Sequence, residues 1–535
     1  MLGVGEDRLD NVFGVTLPAQ DRRAVLGVLV ERRMDLVVEV VEERDDAPAL
    51  LVLAEAAGVR AHGGLHSERM PEQSLALRVA GQRLPGSVAC GLQDVGYSTP
   101  VAGTAVAGAL DAFVIEGGRR LSGQVRTAGN KNAVLPILAA CILTPEPVEL
   151  SNVPRIRDVE TMVELLAEIG ADVEWQGDHE LRVVAANANR YELSEELSRR
   201  LRTSILFAGP LLARFGRAVL PLPGGDPIGR RRLDVHIHAL SQLGAEIDFQ
   251  RRFDMRTDGL TGTTMYLDEP SVTGTENAIM AATLARGETV ITNAACEPHV
   301  QDLCGFLNAR GARISGVGSN ELRIEGVREL GGGEWRICPD HIEVGSFIGC
   351  AAVTGGDVTI EEMRPADLVS ILPGLERLGI RVEIGESSVR VPPEQELAIQ
   401  DDLGGQIPKI EDGPWPLFPA DMTSIALIVA TQARGTILIF EKMFESRLFF
   451  VDKLINMGAR VILCDPHRVV VTGPSQLYGQ RMESPDVRAG WAMLIAALCA
   501  EGTSTIANIR WIDRGYERVD ERLRSLGARI ERVEG

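Results

Sequence analysis

Positive charge is in short supply in this chain of 535 residues, where 55 basic side chains face 75 acidic ones and leave a formal net charge of −20. That balance argues against a nucleic-acid polymer or an anionic membrane surface as the main partner. An anionic small molecule would need a local cationic site. Long apolar runs are missing as well. No uncharged stretch reaches the roughly 18 residues of a membrane span, and the longest, 132–145 and 489–500, read as buried helices. The first residues, MLGVGEDRLD, lack a basic segment followed by an apolar one, so no secretory leader is expected and the location reads as cytoplasmic. The eight cysteines contain no CxxC pair, which fits reduced thiols better than disulfides or a zinc site.

What is present is ordinary for a folded protein, with 45% hydrophobic and 24% charged residues. The length suggests three or four domains, or two large ones. A phrase recurs along the chain: an amphipathic helical run ending in Leu-x-x-x-Gly, then a short β-rich run. Its copies, LLAEIGADVEW, LSQLGAEIDF, FLNARGARISG, LERLGIRVEI, LINMGARVIL and LRSLGARIER, place their glycines at Gly170, Gly244, Gly311, Gly379, Gly458 and Gly527. Each reads as a helix closed by a left-handed glycine and followed at once by a strand. In the first copy Val159, Met162, Val163, Leu166 and Ile169 keep the helical period before a strand over Ala171–Trp175. Units of about 70 residues exceed the solenoid range and suffice for small βαβ-containing subdomains. Three units per domain would make two similar domains.

The first 110 residues stand outside the repeat. Residues 22–53 are compatible with a small helix-plus-strand module, or with a translated stretch of little fixed structure, and 85–111 reads as a Gly/Ala-rich linker.

Lysine is nearly missing, with only Lys131, Lys409, Lys442 and Lys453 among the 55 basic residues. Lys131 lies in GNKNAVLPILAA, before a buried helix, where a compact ammonium suits a phosphate or carboxylate or simply caps the helix in solvent. LSRRLRTSILFAGPLLARFG places Arg199, Arg200 and Arg202 within one turn of an otherwise apolar helix. Arg230, Arg231 and Arg232 close LPGGDPIGRRRLD, whose Gly-Gly pair and Pro227 imply an irregular loop able to move or approach a ligand. Arginines bracketing such a loop point to an anion site. Asp226 and Asp421 could be a turn former and a helix N-cap, or acid–base groups.

GNKNAVLP, RLRTSILFAGPLLARFG, LPGGDPIGRRRLDVHI, SVTGTENAIMAATLA, FPADM and IDRGYERVDERLRSLGA follow in order. Together they resemble the UDP-N-acetylglucosamine 1-carboxyvinyltransferase family over about 112–535. The resemblance implies an α/β fold, a two-domain inside-out α/β barrel built from six βαβαββ-type repeats, with domains at 131–338 and at 112–130 plus 339–535. It implies transfer of the enolpyruvyl group of phosphoenolpyruvate to the 3′-hydroxyl of UDP-N-acetylglucosamine, with release of phosphate by addition and elimination. Lys131, Arg202, Arg231 and Arg488 would then hold the phosphate and carboxylate, with Arg447 a further anion-site position. Asp421 would accept a proton from the sugar hydroxyl, Asn132 would contact the sugar, and Ser271, Val272 and Thr273 would lie near the diphosphate. No organic cofactor or metal is implied, nor a nucleic-acid or membrane partner, and a monomer is the favoured state.

Two departures from the family pattern stand out. Asp226 occupies the loop position where most members have cysteine. It could still protonate the methylene carbon of phosphoenolpyruvate if burial or neighbouring anions raised its pKa, and it would resist alkylation by fosfomycin. Glu269, after Asp268, replaces a frequent lysine near the diphosphate, which leaves another nucleotide or nucleotide-sugar acceptor, or an inactive nucleotide-sugar-binding regulator, as alternatives. His236 and His238 lack companion ligands at a usual zinc spacing and read as a strand or helix edge.

Overall fold

Six helices, most of them apolar on nearly every side, organise the molecule. They are α1 (Lys131–Ala140), α2 (Ala208–Phe215), α3 (Val272–Thr283), α4 (His341–Val353), α5 (Ala420–Gln432) and α6 (Val487–Cys499). In α6 every residue from Val487 to Leu498 is buried, and in α5 every residue from Met422 to Thr431. A helix without a polar face has to be surrounded by protein. The computed structural model describes residues 111–534; the module expected over 22–53, the linker over 85–111 short of Asp111, and the extension over 1–111 short of that residue lie outside them. No described helix is long and apolar enough to cross a membrane.

Around these helices lie six sheets, five of four strands and one of three. The sheet of the first repeat shows how each is made. Val148–Ser151 runs antiparallel to Leu181–Val184, which pairs in turn with Asp172–Trp175. The helix Arg157–Ile169 connects the first strand to the last and buries Val159, Met162, Leu165, Leu166 and Ile169 on one face. Gly170 ends it at φ 100°, and Ala171 N–H returns to Leu166 O at 3.0 Å. All six repeat glycines have φ between 87° and 107°, a region a side chain adopts only under strain. The strand expected from Ala171 begins one residue later.

The outer strand of this sheet, Gly333–Arg336, comes from the far end of the same half and pairs parallel with Val148–Ser151. In the other half the N-terminal strands play that part. Ser122–Arg126 pairs parallel with Asp357–Glu361, while Ala112–Glu116 lies between Thr503–Ala507 and Arg529–Val533. Two hydrophobic cores result, one from Ala133 to Cys338, the other from Phe113 to Val125 together with Ile342 to Ile530. With helices inside and sheets outside, each core inverts the usual α/β barrel.

The chain crosses between cores twice, and the crossings pair with each other. Asn130 N–H donates to Cys338 O at 2.8 Å and Asp340 N–H to Ala128 O at 3.0 Å. Each crossing ends in a cap: Asn130 Oδ1 accepts from the N–H groups of Asn132 and Ala133, and Asp340 Oδ1 from those of Ile342 and Glu343. Both helix N-termini therefore open at the boundary, and Lys131 is the first residue of α1.

Candidate active site

A cavity of about 1020 Å³ lies between the two cores. Lys131, Asn132, Arg202, Asp226, Arg231, Ser271, Val272, Thr273, Asp421, Arg447 and Arg488 all line it, so every residue to which the family resemblance gave a part comes to one place. Arg199 and Arg200 do not. Their helix ends at Arg200, and both pair with glutamates on the outer surface, Arg199 with Glu195 and Arg200 with Glu164 and Glu196. Arg202 opens the next, 3₁₀ turn and faces inward.

Asp421 is the second residue of α5, after Pro419, and caps nothing. Its Oδ1 accepts from Arg447 Nη2 at 2.9 Å, and its Oδ2 lies 3.0 Å from Nε and 2.8 Å from Nη2 of Arg488. Burial alone would raise its pKa, but Arg488 and then Arg447 outweigh burial and hold it well below the usual carboxylate range. Arg488 is itself fixed. Asp486 caps its helix, its Nη1 donates to Tyr516 Oη at 2.6 Å, and that ring stacks on Trp491 at 4.8 Å. Arg447 is 2% exposed, and its Nε and Nη1 have no hydrogen-bond partner among the described residues. Buried donors of this kind are costly unless an acceptor reaches them.

A second ionic group involves residues that the sequence reading did not single out. Lys131 Nζ lies 2.8 Å from Asp158 Oδ2. Arg514 Nε donates to Asp158 Oδ1 at 2.7 Å, Nη2 to Oδ2 at 3.2 Å, and Nη1 to Asp226 Oδ1 at 2.5 Å. Burial pushes the Asp158 carboxyl up, but Lys131 and Arg514 together hold it below its ordinary value. Asp226 thus has the Arg514 guanidinium at hydrogen-bond distance, with Asp486 also near enough to feel its charge.

The loop bearing Asp226 is held from both cores. Arg202 Nη2 donates to Arg231 O at 2.7 Å and to Arg232 O at 3.1 Å, and Arg231 Nη2 to Asp226 O at 3.0 Å. Across the cavity, Arg230 N–H donates to Glu445 Oε1 at 2.8 Å and Ser446 N–H to Ile228 O at 3.1 Å. Gly225, at φ 114°, permits this packing, since a Cβ there would stand 2.8 Å from Arg231 Nη2 and 2.9 Å from Arg202 Cβ. Burial, with Arg231 nearby, lowers Arg202 to about 10. Confining several guanidinium groups here costs energy that an anion would offset.

Ser271 caps α3, its Oγ accepting from Gly274 N–H at 3.2 Å, so Val272 and Thr273 begin a helix of 12 residues that opens on the cavity. Thr273 Oγ1 contacts His236 Nε2 at 3.1 Å, and His236 Nδ1 contacts Asn277 Nδ2 at 2.8 Å. His236 and His238 lie within a helix, Asp234–Gln242, rather than at its edge. Asp268 and Glu269 face Arg232, at 2.9 and 3.9 Å. Farther in, Glu276, Glu297, His299 and His341 also line the cavity, none of them anticipated from sequence.

Comparison with known proteins follows the same outline. Residues 115–523 match the family model described as EPSP synthase (3-phosphoshikimate 1-carboxyvinyltransferase). A protein of Bradyrhizobium diazoefficiens named UDP-N-acetylglucosamine 1-carboxyvinyltransferase is 57% identical over 421 residues, 79% of this chain and 98% of the relative. One of the same name from Treponema denticola is 53% identical over 422 residues, covering 79% and 99%. Among solved structures, the enolpyruvyl transferase NikO from Streptomyces tendae matches with TM-score 0.72 at 25% identity, over 80% of this chain and 100% of that one. An EPSP synthase from Acinetobacter baumannii shares the fold, with TM-score 0.62 at 17% identity over 79% and 100%.

Proposed function

Because the chain belongs to the UDP-N-acetylglucosamine 1-carboxyvinyltransferase family, we propose that the cavity between its cores is where both substrates meet, and that its lining residues take the parts below. The enzyme transfers the enolpyruvyl group of phosphoenolpyruvate to the 3′-hydroxyl of UDP-N-acetylglucosamine and releases phosphate, a step of peptidoglycan synthesis. The observation that supports this site is the convergence of Asp226 and Asp421 with Lys131, Arg202, Arg231, Arg447, Arg488 and Arg514 on one cavity.

Phosphoenolpyruvate binds among the cations, which hold its phosphate and carboxylate through charge-assisted bonds. UDP-N-acetylglucosamine lies with its diphosphate at the N-terminus of α3 and its sugar toward Asn132 and Asp421. In the addition step the 3′-oxygen attacks C2 of phosphoenolpyruvate while Asp421 takes the hydroxyl proton and Asp226, released from Arg514 and protonated as the anionic substrate arrives, gives a proton to C3, forming a tetrahedral adduct. In elimination the Asp226 carboxylate takes a proton back from C3, the C2–C3 double bond re-forms, and the phosphate leaves with the proton that Asp421 had accepted. The pairing that keeps Asp421 ionised also weakens it as a base. As substrate oxygens draw the Arg447 and Arg488 donors away, its basicity rises where the hydroxyl arrives.

Three further parts of the reading rest on the same ground. The cores support domains at 131–338 and at 112–130 plus 339–535, closing on the substrates from both sides. Arg232, paired with Asp268 and Asp234 and 3.9 Å from Glu269, offsets part of the negative charge beside the diphosphate. The enzyme works as a cytoplasmic monomer, and Asp226 makes it insensitive to fosfomycin. Mass analysis of the product from phosphoenolpyruvate and UDP-N-acetylglucosamine tests the reading. A nucleotide sugar enlarged by one enolpyruvyl group supports it, and unchanged nucleotide sugar refutes it.

A further inference from the structure

Between the N-terminus of α3 and Asp421 the cavity floor is polar, yet none of it has a part in the chemistry above. Glu276 lies one turn beyond Thr273 on α3 and is 1% exposed, yet it lines the cavity. Its Oε1 has no hydrogen-bond partner among the described residues. Glu297 stands beside it, and Trp415 N–H, from the loop leading to Asp421, donates to Glu297 Oε1 at 3.4 Å. The floor continues through His299, 6% exposed with Nδ1 unpartnered among the described residues, close enough to Asp421 and Arg488 for their charges to act on its ring. A buried carboxyl oxygen left unpaired costs stability, so its persistence in a cavity wall points to a ligand group that satisfies it.

The proposed pose of the substrate says which group. The sugar carries its diphosphate at C1, held by Ser271–Thr273, and its reacting hydroxyl at C3, held by Asp421. Whatever spans the distance between those anchors faces C2, which bears the acetamido group. We propose that Glu276 is a specificity-determining residue whose carboxyl group pairs with the 2-acetamido group of UDP-N-acetylglucosamine. This rests on the enolpyruvyl-transfer reading and adds a selector for the amino sugar to it. Burial, and Glu297 next to it, push the Glu276 carboxyl well above the ordinary range. The neutral acid presents an O–H donor to the acetamido C=O, the outer end of a trans amide whose N–H points the other way. A hydroxyl at C2 has no such carbonyl and ends nearer the sugar ring.

The test measures kcat and KM for UDP-N-acetylglucosamine and UDP-glucose in the wild type, Glu276→Gln and Glu276→Met, with thermal melting to check folding. The wild type is expected to prefer the acetamido sugar by about a hundredfold or more in kcat/KM. Glu276→Met should lose about tenfold or more of that preference, through a higher KM for UDP-N-acetylglucosamine with the KM for phosphoenolpyruvate unchanged. Glu276→Gln, which keeps a donor and an acceptor, should retain the preference within about threefold. A folded Glu276→Met enzyme with unaltered preference overturns the proposal, as does a wild type that uses both sugars within about threefold. Should Glu276→Met not fold, the acetamido carbonyl stretch of bound, isotope-labelled UDP-N-acetylglucosamine decides. A band that moves between wild type and Glu276→Gln supports the pairing, and an identical band overturns it. A wild type that releases no phosphate with UDP-N-acetylglucosamine contradicts instead the underlying reaction.

Discussion

Arg514 Nη1 stands 2.5 Å from Asp226 Oδ1 while the same guanidinium grips both oxygens of Asp158. One side chain of the second core thereby fixes the loop and a helix of the first, next to Lys131. Arg514→Ala should lower kcat by about two to three orders of magnitude and raise the KM for phosphoenolpyruvate. Arg514→Lys should recover little, because an ammonium cannot hold two carboxylates in a fixed fork. Steady-state kinetics of the two variants check this, and near-wild-type turnover in either would contradict it.

Asp226→Asn removes the proton that the methylene carbon needs and should reduce phosphate release about a hundredfold or more. Asp226→Cys should restore turnover and create a thiolate nucleophile open to fosfomycin. Progress curves with the drug should show time-dependent loss in Asp226→Cys and none in the wild type.

The repeat was visible in sequence because its signal is local: a glycine closing a helix needs the left-handed region wherever the chain goes next, and Gly170 to Gly527 all adopt it. The site was visible where residue type is unusual for its surroundings, as with Lys131 in a chain nearly free of lysine. Arg514 was not, although its motif IDRGYERV was in view. Its partners Asp158 and Asp226 lie hundreds of positions earlier, and nothing local separates it from the other arginines. The same lack of three-dimensional information grouped Arg199 and Arg200 with Arg202, when a helix end at Arg200 turns them outward. Glu276 sits in SVTGTENAIMAATLA, where a charge within an apolar helix is the one hint of a buried role.

His299 is buried and held neutral: burial first, then His341, lowers its pKa from 6.5 to about 3. Below pH 6.5 the unfolded chain takes up a proton there that the folded protein refuses, so this group subtracts stability as pH falls. Relative to the wild type, His299→Gln should therefore gain up to about 1.4 kcal/mol per pH unit on acidification toward pH 4. Above pH 7.5 the difference between them should be constant. Urea unfolding across that range checks it, and a pH-independent difference would contradict it.

Arg232 pairs with Asp268 at 2.9 Å and lines the cavity together with Glu269. Its loss should expose the diphosphate to both carboxylates, so Arg232→Ala should raise the KM for UDP-N-acetylglucosamine about fivefold or more. Glu269→Gln, which removes a half-exposed charge 3.9 Å from Arg232, should change it less than about twofold. The reverse ranking would show that Glu269 acts on the nucleotide directly.

The most direct measurement is phosphate release from phosphoenolpyruvate by purified protein with UDP-N-acetylglucosamine, and in parallel with UDP, UMP and free N-acetylglucosamine, alongside Asp421→Asn. Release with the UDP sugar alone, reduced about a hundredfold or more in Asp421→Asn, is the predicted result. Release that needs no sugar, or that survives intact in Asp421→Asn, would contradict enolpyruvyl transfer by this cavity.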